Sequence, residues 1–255
     1  MNSFIIETLG VSKRYRGFTA VSDMDIQVKK GAIYALVGQN GAGKTTLLKM
    51  LCGLTPLTAG KIRLFGESTA RGLQNARTRT GAMIETPSFL PYLSAKNNLE
   101  YLRLQRGSGS KRSVSAALDF VGLGDTGTKA FSKFSLGMKQ RLGLALAIMD
   151  GAELLILDEP INGLDPIGIK EFRDIILHMN KENGTTVLIS SHILGELSQV
   201  ATDYGFIDHG RLLEHITASE LEEKCRRSAD SQSQKEDISL EDYFIDLIGG
   251  GKADV

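Results

Sequence analysis

Between Val37 and Thr46 the chain reads VGQNGAGKTT, and within it Gly38-x-x-x-x-Gly43-Lys44-Thr45 has the composition and spacing of a phosphate-binding loop. Gly38, Gly41 and Gly43 carry no side chain and tolerate positive φ, so successive N–H groups can curl into a concave nest around phosphate oxygens. The start of a following helix adds its partial positive charge. Lys44 has the reach to meet β- and γ-phosphates, and the Thr45 hydroxyl is a hard oxygen ligand for Mg²⁺. Asn40 and Thr46 fall in the same loop and are grouped with its nucleotide contacts. A nucleoside triphosphate is the expected ligand.

Further chemistry stands at the ends of later apolar runs. Asp158 closes the run from Glu153 to Leu157, and Glu159 follows it directly. A carboxylate at such a strand end can hold Mg²⁺ through water, and its neighbour can polarise an attacking water. The run TTVLIS ends similarly at Ser190-Ser191-His192. No Asn-Lys-x-Asp is present to read guanine, which argues against a GTPase. Tyr15, between Arg14 and Arg16, is an aromatic ahead of the loop. From the residues alone it is either a stacking surface for adenine or ordinary surface.

These groups need strands and helices to hold them. IYALV, Ile33 to Val37, is an apolar strand leading into the loop, and LLKMLCGL from Leu47 is apolar at helical spacing. Ahead of it, Phe4 to Gly10 reads as a strand, KRYRGFTAV as a loop, and Met24 to Val28 as an alternating strand that Gly31 turns into the strand of the phosphate loop, giving an antiparallel pair at the sheet edge. Lys61 to Phe65 and Gly81 to Glu85 are further strands with a basic helical segment between them. Thr86 to Lys133 reads as a helical insertion with its own small core.

Beyond it come a helix from Gly137 and another from Pro166 to about Lys181, proline being tolerated in a first turn. A third runs from Ile193 to about Ala201, and YGFID and RLLEHI are the last strands. Strands alternating with helices predict an α/β fold: a mostly parallel core sheet, an antiparallel β edge and an inserted helical subdomain. The division expected is a core of residues 1–85 and 134–216, a helical subdomain of 86–133, and a polar C-terminal part, 217–255. In that last part Arg226 to Asp237 reads as a surface linker. Ser239 and Asp242 read as a capping box for an amphipathic helix whose face is Leu240, Phe244, Leu247 and Ile248, with glycines from Gly249 stopping it and its apolar face covering a sheet edge.

In bulk, 30 Lys and Arg balance 30 Asp and Glu, so net charge recruits neither nucleic acid nor an anionic membrane. The apolar runs are far short of the roughly 20 residues that span a bilayer. The first residues show no charged leader with an apolar stretch, predicting no secretion signal. Cys52 and Cys225 make no disulfide framework, and a reducing cytosol is expected.

Phe134-Ser135-Leu136-Gly137-Met138-Lys139-Gln140 lies just before the helix preceding Asp158. Together with the phosphate loop, Asp158-Glu159, Asn162-Gly163-Leu164-Asp165 and His192, in this order, it resembles the ATP-binding cassette (ABC) family from Ile5 to about Ile216. The family pattern is Leu-Ser-Gly-Gly-Gln; Ser135 and Gly137 are kept, while Phe134, Leu136 and Met138 depart from it. The resemblance implies ATP and Mg²⁺ as ligands and a dimer in which Ser135, Leu136 and Gly137 of one subunit close over the nucleotide of the other. It makes Tyr15 the adenine-stacking ring, Glu159 the general base, His192 the γ-phosphate contact and Asp165 a link between the two sites. Metal contacts would be Thr45, Asp158 and Glu85, the last where the family usually has Gln.

That Glu, with IETPSFLPYLSAKNNL and SLGMKQRLGLALA, looks like the bacterial subgroup that exports or confers immunity to lantibiotics and bacitracin. A separate transmembrane permease, contacted by the lobe around Phe89, Tyr92 and Leu93, would hold the chain at the cytoplasmic face of the membrane. A soluble member acting on DNA or ribosomes is disfavoured by the single phosphate loop and the absence of sustained heptads. For the additional regulatory domain of many importers, the segment after Thr217 looks too short.

Overall fold

The computed structural model describes residues 4–85, 88–231 and 240–250. It opens with strands β1 (Phe4–Tyr15), β2 (Phe18–Met24), β3 (Gln27–Lys29) and β4 (Ile33–Val37). Helix α1 (Lys44–Leu51), β5 (Ala59–Leu64), α2 (Ala70–Thr78) and β6 (Thr80–Met83) follow. Next come α3 (Ala95–Arg106), α4 (Lys111–Phe120), short 3₁₀ turns at Gly124–Thr126 and Phe131–Lys133, and α5 (Leu136–Ile148). Strand β7 (Leu154–Asp158), α6 (Pro166–Asn183), β8 (Thr186–Ser191), the single turn α7 (Leu194–Leu197), β9 (Asp203–Asp208) and β10 (Arg211–Thr217) complete the core. Helices α8 (Ala218–Ser231) and α9 (Leu240–Gly250) come last.

The main sheet is six-stranded in the order β10-β9-β4-β8-β7-β6. All its pairs are parallel except β9 with β10, which forms an antiparallel edge. Met24 to Val28 does not pair with the phosphate-loop strand at an edge as expected: β2 ends at Met24, β3 takes Gln27–Lys29, and β4 lies inside the sheet between β8 and β9. The early strands form a second, antiparallel sheet, β2-β1-β3 with β5 on β1. The segment read as a loop after Gly10 is part of it: β1 continues through Tyr15, Gly17 turns at φ 78°, and Tyr15 pairs with Phe18. Register shifts along β1 hid its alternation from the sequence.

Strand side chains alternate between two cores. Tyr34, Leu36, Leu154, Ile156 and Leu188 face the antiparallel sheet and α1. Ile33, Ala35, Val37, Leu155, Leu157, Val187 and Ile189 face the helical side. Burial on both faces explains why these strands read as continuous apolar runs. On the helical side Leu99, Val114 and Leu118 of the insertion join the same cluster as Leu142 and Leu144 of α5, so the insertion does not have a separate core.

Three further expectations are corrected. α8 carries the helix through Arg226 to Ser231, where a linker was expected. Its start is a capping box: Glu220 accepts from the Thr217 N–H at 2.9 Å, and the Thr217 hydroxyl accepts from the Glu220 N–H at 3.3 Å. The helix expected over Ile193 to Ala201 is helical only over Leu194–Leu197. α9 runs to Gly250 without stopping at Gly249, while the cap expected at Ser239 lies outside the described residues. Its apolar face does pack inward, with Phe244 5.6 Å from the Phe206 ring of β9.

Asn98, 1% exposed in α3, ties down the segment that leads from the sheet into the insertion. Its Oδ1 accepts from the Leu90 N–H at 2.8 Å, and its amide donates to carbonyls of Leu90, Leu93 and Ser94 at 3.1–3.2 Å. Asn98→Ala leaves those backbone groups without a buried partner and is expected to cost about 2–4 kcal/mol in urea denaturation. A loss under about 1 kcal/mol would show that water replaces the amide.

Candidate functional site

β4 is buried at every residue and releases the chain at Gly38. A Cβ on Gly38 would stand 2.5 Å from the Ile207 carbonyl, and one on Gly43 2.5 Å from that of Ala20, so β9 and β2 leave room only for glycine. Gly43, at φ 104°, is the N-cap of α1, with no side chain capping the first turn and no acidic residue in it. Those N–H groups therefore remain available to an anion.

Lys44 is 5% exposed. Its ammonium donates to the carbonyls of Gly38 at 2.5 Å and Gln39 at 3.2 Å, and pairs with Glu159 Oε1 at 3.1 Å. That Oε1 makes no hydrogen bond among the described residues, so charge attraction alone holds it. Asn40, Gly41 and Thr46 lie on the same turn, between β4 and the first residues of α1.

The carboxylates arrive by strand register. β7 sets Asp158 opposite Ser190 of β8, and β8 sets Ser191 opposite Val37. Three inner parallel strands thus end level, with the phosphate loop, Asp158 and His192 at their carboxyl ends. The Thr45 hydroxyl donates to Asp158 Oδ2 at 2.8 Å, and Ser190 Oγ donates to Oδ1 at 2.7 Å. Thr45 and Asp158 therefore present two adjacent hard oxygens, a fit for Mg²⁺, which commonly takes its other ligands from substrate phosphates and water.

Glu159 sits at φ 47°, a left-handed conformation that costs a non-glycine residue about 1 kcal/mol. Its N–H is held by the Ser190 carbonyl at 3.2 Å and Ser190 Oγ at 3.0 Å, and its Oε2 meets His192 Nδ1 at 2.7 Å. A carboxylate so oriented, beside a lysine and an imidazole, can take a proton from water.

Other expected groups are engaged by partners of their own. Tyr15 is 47% exposed with Lys13 Nζ 4.9 Å over its ring. Glu85 lies past the end of β6 at φ 59°, and its carboxylate is held by Lys49 Nζ at 2.5 Å. That hydrogen bond keeps the Lys49 ammonium above its ordinary pKa. Ser135 caps α5 by accepting from the Met138 N–H at 3.3 Å, and Asp165 caps α6 by accepting from Gly168 at 2.9 Å. Ser135, Leu136, Gly137, Gly163 and Asp165 line one surface hollow of about 350 Å³. The phosphate loop does not line that hollow.

Sequence reasoning passed over Ser190 and Lys49, whose partners lie far away along the chain. It also passed over Glu196, whose Oε2 is buried without a hydrogen bond. Burial raises the Glu196 carboxyl pKa, with His192 opposing and Glu159 adding to the shift. Burial likewise pushes the Cys52 thiol up to about 12, leaving it neutral and inert.

A glycine-built phosphate loop, a hydroxyl–carboxylate pair for a cation and a part-buried Glu–His pair at the ends of adjoining parallel strands define a P-loop nucleoside triphosphatase. Residues 21–162 match the family described as ABC transporter, and the chain belongs to that family as an ATP-hydrolysing subunit. The bacitracin transport ATP-binding protein BcrA of Enterococcus faecalis is 47% identical over 224 residues, covering 88% of this chain and 73% of that protein. The lantibiotic transport ATP-binding protein SrtF of Streptococcus pyogenes is 40% identical over 222 residues, covering 86% of this chain and 95% of that one. Among solved structures, the ATP-binding cassette MJ0796, in a dimeric post-hydrolysis state with ADP and Pi, superposes with a TM-score of 0.75. It is 20% identical over 84% of this chain and 98% of that chain, a likeness of fold.

Ser190→Ala removes both the donor that orients Asp158 and one acceptor for the Glu159 N–H. It is expected to cost about 1–3 kcal/mol of stability and to raise the Mg²⁺ concentration for half-maximal ATPase about tenfold. Unchanged Mg²⁺ dependence would mean that the strand alone fixes the carboxylate.

Proposed function

We propose that this chain is the motor subunit of a bacterial exporter that removes peptide antibiotics of the bacitracin or lantibiotic class. What carries the cargo reading is the 40–47% identity to BcrA and SrtF over more than four-fifths of the chain. The chain acts as a pair, because the hollow at Ser135 and the phosphate loop lie on different surfaces and each needs a complement. Facing copies would set Ser135, Leu136 and Gly137 of one against the γ-phosphate held by the other, with Asp165 beside them. The MJ0796 cassette of the same fold, dimeric with ADP and Pi bound, supports pairing.

In each site Gly38, Asn40, Gly41, Gly43, Lys44, Thr45 and Thr46 bind the phosphates, and Tyr15 stacks on adenine. Thr45 and Asp158, with Glu85 once it leaves Lys49, would hold Mg²⁺, which would supply Lewis-acid neutralisation of phosphate charge. Lys44 exchanges its two carbonyls and Glu159 for phosphate oxygens, which frees Glu159 to accept a proton from the attacking water. His192 holds Oε2 of Glu159 through Nδ1 and turns its other nitrogen to the γ-phosphate.

Residues 86–133 form the helical arm on the permease side. Phe89 is 8% exposed and packed on Phe131, so it supports that arm from within, whereas Tyr92 is 72% exposed and is the contact. Among the described residues no helix is long and apolar enough to cross a membrane; the identity to transport ATP-binding proteins supports a position at the cytoplasmic face, held there by a permease. Nucleic acid is not among its partners.

Glu159→Gln is expected to lower ATPase by at least about 100-fold while ATP now traps a dimer visible by size-exclusion chromatography. In the source cell the same variant should give hypersensitivity to one peptide antibiotic. Unchanged sensitivity across bacitracin and lantibiotics, with ATPase lost, would keep the motor and remove the peptide cargo. Tyr92→Glu should release the permease in a pull-down; retained binding would put the contact elsewhere.

A further inference from the structure

Glu85 brings a full negative charge to a region that already holds Asp158 and Glu159. Strand register brings it toward them: Met83, the last residue of β6, pairs with Leu157 of β7, so the chain leaves β6 at the same end of the sheet as Asp158 and Glu159. Its carboxylate is taken up by Lys49 at 2.5 Å. Lys49 belongs to α1, one helical turn beyond Thr45 and on the same face, and Thr45 is the residue whose hydroxyl touches Asp158.

We infer that Lys49 is a positioning residue that neutralises Glu85 and fastens the loop leaving β6 to the phosphate-binding helix, so that ATP meets no uncompensated carboxylate. The inference rests on the nucleotide reading above. The pair contributes little to stability, because its side chains are 31% and 65% exposed and surface ion pairs are screened. Its effect is on the local field felt by a polyanion. Without Lys49, Glu85 repels ATP; with Mg²⁺ present, part of that charge is answered by the cation. Lys49 and Glu85 therefore act as one neutral unit, in which removing the lysine is harmful only while the carboxylate remains.

Binding of a fluorescent ATP analogue would be measured in EDTA, where no hydrolysis occurs, for wild type, Lys49→Met, Glu85→Gln and the double variant. Lys49→Met is expected to weaken binding about threefold or more, with a smaller loss in Mg²⁺. Lys49→Met/Glu85→Gln is expected to return to within about twofold of wild type. Thermal midpoints of the four should coincide, as for an exposed pair. Undiminished binding by Lys49→Met in EDTA would overturn the inference, as would a double variant that stays as weak as Lys49→Met. The second result would mean that the lysine contacts ATP or supports the helix by itself. Failure of the wild type to bind the analogue would instead count against the nucleotide reading.

Discussion

A buried ammonium must be answered by charge or by carbonyl oxygen, and Lys44 is the buried ammonium around which this molecule is arranged. Two loop carbonyls and Glu159 answer it here. Each of those partners is also a part of the proposed catalytic centre: the carbonyls belong to the glycine-rich loop, and Glu159 is the carboxylate proposed to activate water. The resting protein thus satisfies its lysine with the groups that phosphate replaces. In the proposed mechanism nucleotide arrival and release of Glu159 are a single exchange of partners, which would link binding to readiness for hydrolysis without a separate signal.

Holding Glu159 in place for that exchange is costly in backbone conformation, and the surrounding structure supplies the compensation. Ser190 presents its carbonyl and its hydroxyl to the strained N–H while donating to Asp158 from the same oxygen. His192 holds the far carboxylate oxygen. Preorganisation of this kind depends on rigid elements more than on loops. The rigidity comes from β4, β7 and β8, packed on both faces by the two apolar cores.

How much of this could be read from the chain depended on the distance between partners along it. The phosphate loop was legible because strand, glycines, Lys44, Thr45 and helix are contiguous, and their meaning is local. Asp158, Glu159 and His192 were legible as polar groups at the ends of apolar runs. Ser190 was not, because its value comes from lying opposite Asp158 in the next strand, which only register determines. Lys49 looked like one more helical surface cation until the fold brought Glu85 to it. The β1–β2 hairpin was obscured by register shifts that break a period of two, and the start of α8 by a polar composition that masked Thr217 and Glu220 as a cap.

The strand order also governs how the molecule comes into being. β4, which carries the phosphate loop, has β8 and β9 as its two neighbours, both from beyond residue 185. During synthesis its apolar IYALV therefore emerges with no partner and waits while the insertion, α5 and β7 are made. Long-range parallel pairing of this sort is slow and exposes sticky intermediates. The first functional motif to be translated is thus completed only near the end, and a polypeptide interrupted anywhere before β9 would carry the whole phosphate-loop sequence without the strands that shape it.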